Sequence, residues 1–311
     1  MKGLELSRKY YETFGSPMIK EKFPQFEERI AIGLVGEGSE CFGFDDDISK
    51  DHDFEPSFCM WITKEDYLII GEQLEKEYDN LPKEFCGIKR QNSSHYGQNR
   101  RGVKIIGQFY EQLLGKEEGP DTWQDWLLIP EYSLACAVNG EVFRDDLGEF
   151  TRIRNKILHG MPNDIRLKKI AASAVKMAQS GQYNFARCIN HNEVGAAQLA
   201  LAHFVEETLH MCYLLNKQYC PYYKWMFRKL KGLPLCQELL LPLEYLLCAP
   251  NKQSDLENKQ RVIEEISKYI IIELKKQGLT CGEWDYLEPH GFEVIKNIEN
   301  DTIRSLHIMQ G

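Results

Sequence analysis

Residues 32–54 read IGLVGEGSECFGFDDDISKDHDF, and the order of types in this stretch decides how the first half of the chain is read. An apolar run beginning at Ile32 has the length and composition of a β-strand and ends in Gly36, Gly38 and Ser39. A short loop then leads to Ser49, Asp51, His52, Asp53 and Phe54. Two carboxylates separated by one residue on a strand point the same way, so Asp51 and Asp53 can share one divalent cation while His52 faces the opposite side. A hard cation such as Mg²⁺ takes oxygen ligands and completes its shell with water and phosphates. Glycines let main-chain N–H groups approach a phosphate closely, and the Ser39 hydroxyl adds a donor. Turn and metal together would accommodate a nucleoside triphosphate.

The arrangement resembles the signature of the polymerase-β-like nucleotidyltransferase superfamily, of the kanamycin-nucleotidyltransferase type: a Gly-Ser turn after a first strand, then Ser-x-Asp-x-Asp-hydrophobic on the second. Here those positions are Gly38, Ser39, Ser49, Asp51, Asp53 and Phe54. The longer string GEGSECFGFDDDISKDHDF, taken with LLNKQYCPYYKW at 214–225, resembles an uncharacterised bacterial branch of that superfamily. The resemblance implies a metal held by Asp51 and Asp53, a triphosphate held at Gly38, Ser39 and Ser49, and a third carboxylate from a later strand. The next strand-like run, VKIIGQF at 103–109, contains no acid and carries Lys104 instead. The nearest substitutes are Glu141 and Asp145, in NGEVFRDD after a turn at Asn139 and Gly140. Asp45, Asp46 and Asp47 read as a solvated acidic loop.

A chain of 311 residues is long enough for two domains, and 43% hydrophobic with 27% charged residues is the composition of an ordinary globular protein. Net charge −9 argues against unspecific attraction to a nucleic-acid backbone or an anionic membrane, and suits a small or cationic acceptor. Ten cysteines stand singly with no C-x-x-C pair. The first fifteen residues carry charges where a signal peptide needs an apolar core, and no apolar run approaches a membrane span. These features point to a reduced, cytoplasmic protein whose cysteines serve mostly as small core residues.

The pattern changes character near Gly148. Before it, short strand-like runs alternate with helical periodicity such as 64–79; after it the sequence is helical almost throughout. The expected fold is α+β, a small mixed-sheet domain over residues 1–148 followed by an all-helical domain over 149–311. Asn163 or Asp164 caps a helix carrying Ile165, Ile170, Ala174, Val175 and Met177, a second helix starts at Glu193, and Ser254 or Asp255 opens a third that ends at Gly278. The segment 250–255 is the expected flexible break. Within the helical half, GQYNFAR (181–187) and NKQYCPYYKW (216–225) stand out as polar and aromatic: Arg187 or Lys224 would reach a triphosphate, and Tyr183, Tyr219 or Tyr222 would stack on a base. By the same resemblance the acceptor would lie in a cleft between the two halves.

The expected activity is Mg²⁺- or Mn²⁺-dependent transfer of a nucleoside monophosphate, AMP in the first instance, from ATP or another NTP to a hydroxyl of a small molecule or protein. Two alternatives remain open. The missing third acid would suit a nucleotide-binding regulatory module without turnover. RNKILH at 154–159 matches the Arg…His pattern of helical ribonucleases, with Arg154 and His159 acting on a phosphate, although Gly160 and Pro162 make His159 a helix-terminal residue favoured by the dipole.

Overall fold

Strand alternation and turn chemistry organise the first half around a small sheet. The computed structural model describes residues 1–48, 54–90 and 100–311, apart from the side chains of Gln253 and Ser254. Its strands are β1 (Ala31–Leu34), β2 (Cys59–Ile62), β3 (Glu84–Phe85), β4 (Ile88–Lys89), β5 (Gly102–Ile105) and β6 (Glu141–Arg144). Four of them form a mixed sheet in the order β5-β2-β1-β6, and β3 with β4 makes a separate hairpin. β1 runs antiparallel to both β2 and β6, whereas β2 and β5 are parallel. The parallel pair is joined through the helix Lys64–Asp79, whose N-cap Thr63 accepts from the Asp66 amide. The architecture is α+β, with most residues helical.

All residues of β1 and β2 are buried because the sheet is covered on both faces. One face, with Phe58, Met60 and Ile62, joins Tyr10, Tyr11, Leu74 and Tyr78 in an aromatic-rich core. On the other face Trp61 stacks on Phe150, ring centroids 4.0 Å apart, with Phe109 and Tyr110 beside them. Phe150 belongs to the helix Glu149–Gly160, so that helix closes the sheet's second face. The chain accordingly divides at Gly160 rather than at Gly148. One compact unit comprises 1–122 and 129–160; the other comprises 123–128 and 161–311. The short helix Trp123–Leu128 joins the second unit, where it packs on the helix Asn163–Met177.

The run 103–109 is not one strand. β5 stops at Ile105, and a helix follows over Ile106–Leu114, burying Ile106, Phe109, Tyr110 and Leu114. Those apolar positions recur at helical spacing, and their overlap with the end of β5 makes one continuous apolar stretch in the sequence.

The β1–β6 contact depends on a missing side chain. A Cβ at Gly140 would stand 1.9 Å from the Leu34 carbonyl oxygen, and Gly140 has φ +62°. Gly140→Ala should therefore cost more than about 2 kcal/mol through left-handed strain plus overlap. Gly148→Ala, at φ +78° with nothing within 4 Å of the added carbon, meets the strain alone. Thermal unfolding of the two variants checks this: equal midpoints would mean that the two strands do not approach at Gly140 as described.

In the second unit the helix Asn163–Met177 buries Ile165, Ile170, Ala174, Val175 and Met177. Its N-cap is Pro162, and Asp164 instead accepts from the amides of Glu299 and Asn300. The helix runs on through a π-helical segment, Ala178–Phe185, into Ala186–Asn190. Gly181 in that segment lies against the Phe204 ring of the long helix Val194–Leu215; a Cβ there would come within 2.3 Å of the ring. Helices Tyr223–Leu230, Leu240–Cys248, Gln253–Lys276, Leu287–Lys296 and Asp301–Ser305 complete the unit. The break expected at 250–255 is shorter, since the last of the long helices already begins at Gln253, with Lys252 at its N-cap. It ends at Lys276, and Gly278 turns the chain at φ +68°.

All ten cysteines are free; Cys41, Cys59, Cys136, Cys212, Cys220 and Cys236 are buried, whereas Cys86, Cys248 and Cys281 are exposed. Among the described residues no helix is long and apolar enough to cross a membrane.

Candidate functional site

The glycine turn leaves the carboxyl end of β1 and is held from three sides. Gly36 and Gly38 have φ of +117° and +124°, a region that glycine enters without the Cβ penalty. The Asn139 side chain grips Gly36 at both ends, accepting from its amide at 2.9 Å and donating to its carbonyl at 2.7 Å. The Gly140 amide donates to the Cys41 carbonyl at 2.7 Å. Behind this, Arg154 donates to the carbonyls of Asn139 and Gly140. A chain of contacts thus runs from the helix Glu149–Gly160 through the Asn-Gly turn to the glycine turn.

Two consecutive arginines ahead of β5 hold the turn's two glutamates. Arg100 pairs with Glu37 at 3.5 Å, and Arg101 forms a close ion pair with Glu40. Both members of the second pair are nearly buried, each side chain only 10% exposed. The Glu40 carboxylate lies against Gly38, where an added Cβ would meet it at 2.4 Å. Arg101 also approaches the Cys41 sulfur at 3.8 Å. Burial pushes the thiols of Cys41 and Cys59 up, that of Cys136 to about 12, so these cysteines are neutral packing and not nucleophiles. Burial likewise pulls Lys104 on β5 below the ordinary lysine range.

Ser39 is half-buried and starts the short 3₁₀ turn Glu40–Phe42 without capping it through its hydroxyl. The Asp45–Asp47 run is not uniformly solvated. Asp45 is buried, 2% exposed, because its Oδ2 accepts from the Gly3 amide at 2.9 Å at the start of the helix Gly3–Tyr10, with the Lys2 ammonium 3.8 Å from Oδ1. A helix N-terminus offers unpaired amides and a favourable dipole for such a carboxylate. Only Asp46 and Asp47 are exposed.

Ser49, Asp51, His52 and Asp53 lie outside the described residues. Phe54, the residue after Asp53, is buried and packs at Gly3, where the Glu40 side chain also touches. β2 then starts at Cys59, opposite Gly33 of β1. Chain that leaves through the glycine turn therefore returns beside it.

The two fallback acids have different fates. Glu141 opens β6 opposite Leu34, two residues before Gly36, and its half-exposed carboxylate pairs with Arg8. Asp145 accepts from the amides of Gly148 and Thr151 at 3.0 and 2.7 Å, which ties both of its oxygens into the entry of the following helix. Asp145 thus caps the start of that helix. Arg154 is likewise engaged by main-chain carbonyls, and His159 is exposed at its helix end. Among the described residues no three His, Cys, Asp or Glu side chains converge as a metal site.

In the helical unit the expected ligands occupy separate settings. Arg187 is exposed and lies over the Tyr183 ring at 5.1 Å. Lys224 is exposed and lies over the Trp225 ring at 4.7 Å. Tyr219 is buried, 7% exposed, and its carbonyl accepts from Lys229, which places it in the core rather than on a stacking surface.

Residues 126–226 match the family model DUF4037, a domain of unknown function. The matched stretch takes in β6, the helix Glu149–Gly160 and the first helices of the second unit, and stops short of the glycine turn. No curated protein and no solved structure matches the chain. The residues that sequence reasoning missed are Asn139, Arg101 and Glu40, which shape the turn without belonging to its motif. An Asn-Gly pair is itself a turn signal, but the partner of its side chain is 103 residues away.

Proposed function

We propose that the chain is a cytoplasmic nucleotidyltransferase that moves a nucleoside monophosphate, AMP in the first instance, from an NTP to an acceptor hydroxyl and releases pyrophosphate. The observation that supports this reading is the glycine turn after β1, with Gly36 and Gly38 at φ +117° and +124° and clamped by Asn139, followed in the sequence by the Ser-x-Asp-x-Asp-Phe order of residues 49–54. The donor set is all oxygen and carboxylate, as Mg²⁺ or Mn²⁺ requires. Asp51 and Asp53 would hold the metal, and the amides and hydroxyl of Gly38 and Ser39 the triphosphate. Bound there, the cation supplies neutralisation of phosphate charge. Arg101 neutralises Glu40 beneath Gly38, which keeps an uncompensated carboxylate away from an incoming phosphate. In this reading Glu141, opposite Leu34 on β6, accepts the acceptor's proton once Arg8 releases it. The acceptor is a small molecule or a protein side chain.

The engagement of Asp145 by amides and of Glu141 by Arg8 favours a second reading, a nucleotide-binding module without turnover. Incubation with each NTP and Mg²⁺ separates the two. The transferase releases pyrophosphate and passes label from the α-phosphate to an acceptor; the module shows only a Mg²⁺-dependent rise in melting temperature with nucleotide. Neither response with any NTP would reject both.

A further inference from the structure

We propose that the helical unit carries a binding face for single-stranded nucleic acid, built on the helix Tyr223–Leu230 and the loop that leads into it. The proposal is independent of the transfer chemistry above. The chain as a whole is acidic, 47 Asp and Glu against 38 Lys and Arg, yet from Thr208 to Gln237 it contains no acid and five cations: Lys217, Lys224, Arg228, Lys229 and Lys231. The acids that bound this stretch face other partners. Glu207 accepts from Ser173 at 3.0 Å and pairs with Lys176 at 3.5 Å, and Glu238 is hydrogen-bonded by the Tyr269 hydroxyl. Along the sequence, then, the cations of this stretch stand with no acid among them.

The helix sorts its residues by face. Met226 and Leu230 are buried, Leu233 continues the same stripe beyond the helix, and the Tyr213 hydroxyl anchors the Met226 carbonyl at 2.6 Å. Two residues earlier at each step, Lys224, Arg228 and Lys231 are all exposed on the opposite side. A rise of about 1.5 Å per residue spreads them over about 10 Å. A row of that length suits consecutive phosphates of a polymer better than the compact triphosphate of one nucleotide. Lys229 has a different task, bonding the Tyr219 carbonyl at 3.0 Å and lying over the Tyr213 ring, so it braces the loop.

Aromatic surface accompanies the cations. Tyr222 and Tyr223 are 41% and 65% exposed, with ring centroids 4.4 Å apart, and Trp225 meets Tyr222 edge-on. Exposed rings beside a cation ridge are what single strands use: every base has a π-face to stack, and every phosphate releases counterions when paired. A bilayer is the poorer occupant, because the helix turns its apolar stripe inward and leaves no aliphatic face to insert.

The test is fluorescence anisotropy of the full chain with labelled oligonucleotides of about 16 nucleotides, uridine and adenine runs, as RNA and as DNA. Binding is expected to weaken with salt at a log–log slope of about −2 for three phosphate contacts. Lys224→Glu with Arg228→Glu should reduce affinity more than about tenfold, and Tyr223→Ala about tenfold, at unchanged melting temperature. Lys217→Glu with Lys231→Glu provides a second charge reversal should the first pair disturb folding. Absence of binding at low salt, or binding indifferent to both charge reversals, overturns the proposal. So does competition by inorganic polyphosphate or anionic vesicles as effective as unlabelled oligonucleotide, with Tyr223→Ala without effect.

Discussion

Under the proposed nucleotidyl transfer, replacing Asp51 and Asp53 together by asparagine is expected to lower Mg²⁺-dependent pyrophosphate release from the preferred NTP by at least about a thousandfold, while the protein stays folded. The amides keep size and hydrogen-bonding capacity but lose both negative charges, and a hard divalent cation is bound chiefly through such charges. Phosphoryl and nucleotidyl transfer draw almost all of their acceleration from positioning and charge neutralisation, so losing the cation removes the largest contribution available to this site. Two measurements check the result: single-turnover release of label from the α-phosphate, and the Mg²⁺-dependent shift of melting temperature by nucleotide. Both should disappear in the double variant. A variant that turns over at the wild-type rate would remove Asp51 and Asp53 from the chemistry and with them the assignment of the whole first unit.

Arg101→Ala carries the largest expected loss of stability, about 3–5 kcal/mol, because it leaves the Glu40 carboxylate buried without a partner. For a folding unit the size of the first, residues 1–122 with 129–160, each kcal/mol moves the midpoint by about 2–4 °C, so its unfolding transition should fall by about 6–20 °C. The damage should be local first. Hydrogen exchange in peptides spanning 31–44 and 136–144 should accelerate, since Glu40, Gly38 and the Asn139 clamp share one packed turn. Glu40→Gln combined with Arg101→Met removes both charges and should restore much of the loss, the usual behaviour when a buried pair is replaced rather than broken. An Arg101→Ala protein melting within a degree or two of wild type would show that the carboxylate reaches water and that the turn does not depend on the pair.

The division of labour between sequence and tertiary structure is visible in particular elements. Helices with long apolar stripes were legible: Ile165, Ile170, Ala174, Val175 and Met177 recur at helical spacing and all are buried. Their ends were less so, because Asp164 finds amides at Glu299 and Asn300 that no local pattern announces. β1 and its glycine turn were legible through composition, whereas β6 was not, since a four-residue edge strand carrying Glu141 and Arg144 has little apolar signal of its own. The unit boundary moved from Gly148 to Gly160 for one reason, the stacking of Phe150 on Trp61, which recruits an amphipathic helix to a sheet far earlier in the chain.

By itself the sequence determined the α+β class, the strand-turn order at Ile32–Ser39 and the placement of most cysteines in the core, because these depend on periodicity, conformational freedom and polarity over a few neighbouring residues. Tertiary structure alone decided that Asp45 is buried, that Asp145 caps a helix, that Arg154 braces a turn and that Arg101 neutralises Glu40. A carboxylate or guanidinium has the same chemistry wherever it occurs in a chain. What it does is fixed by the amide, carbonyl or opposite charge that folding brings within hydrogen-bond distance, and here, for Arg101 and Arg154, those partners come from 61 and 15 residues away.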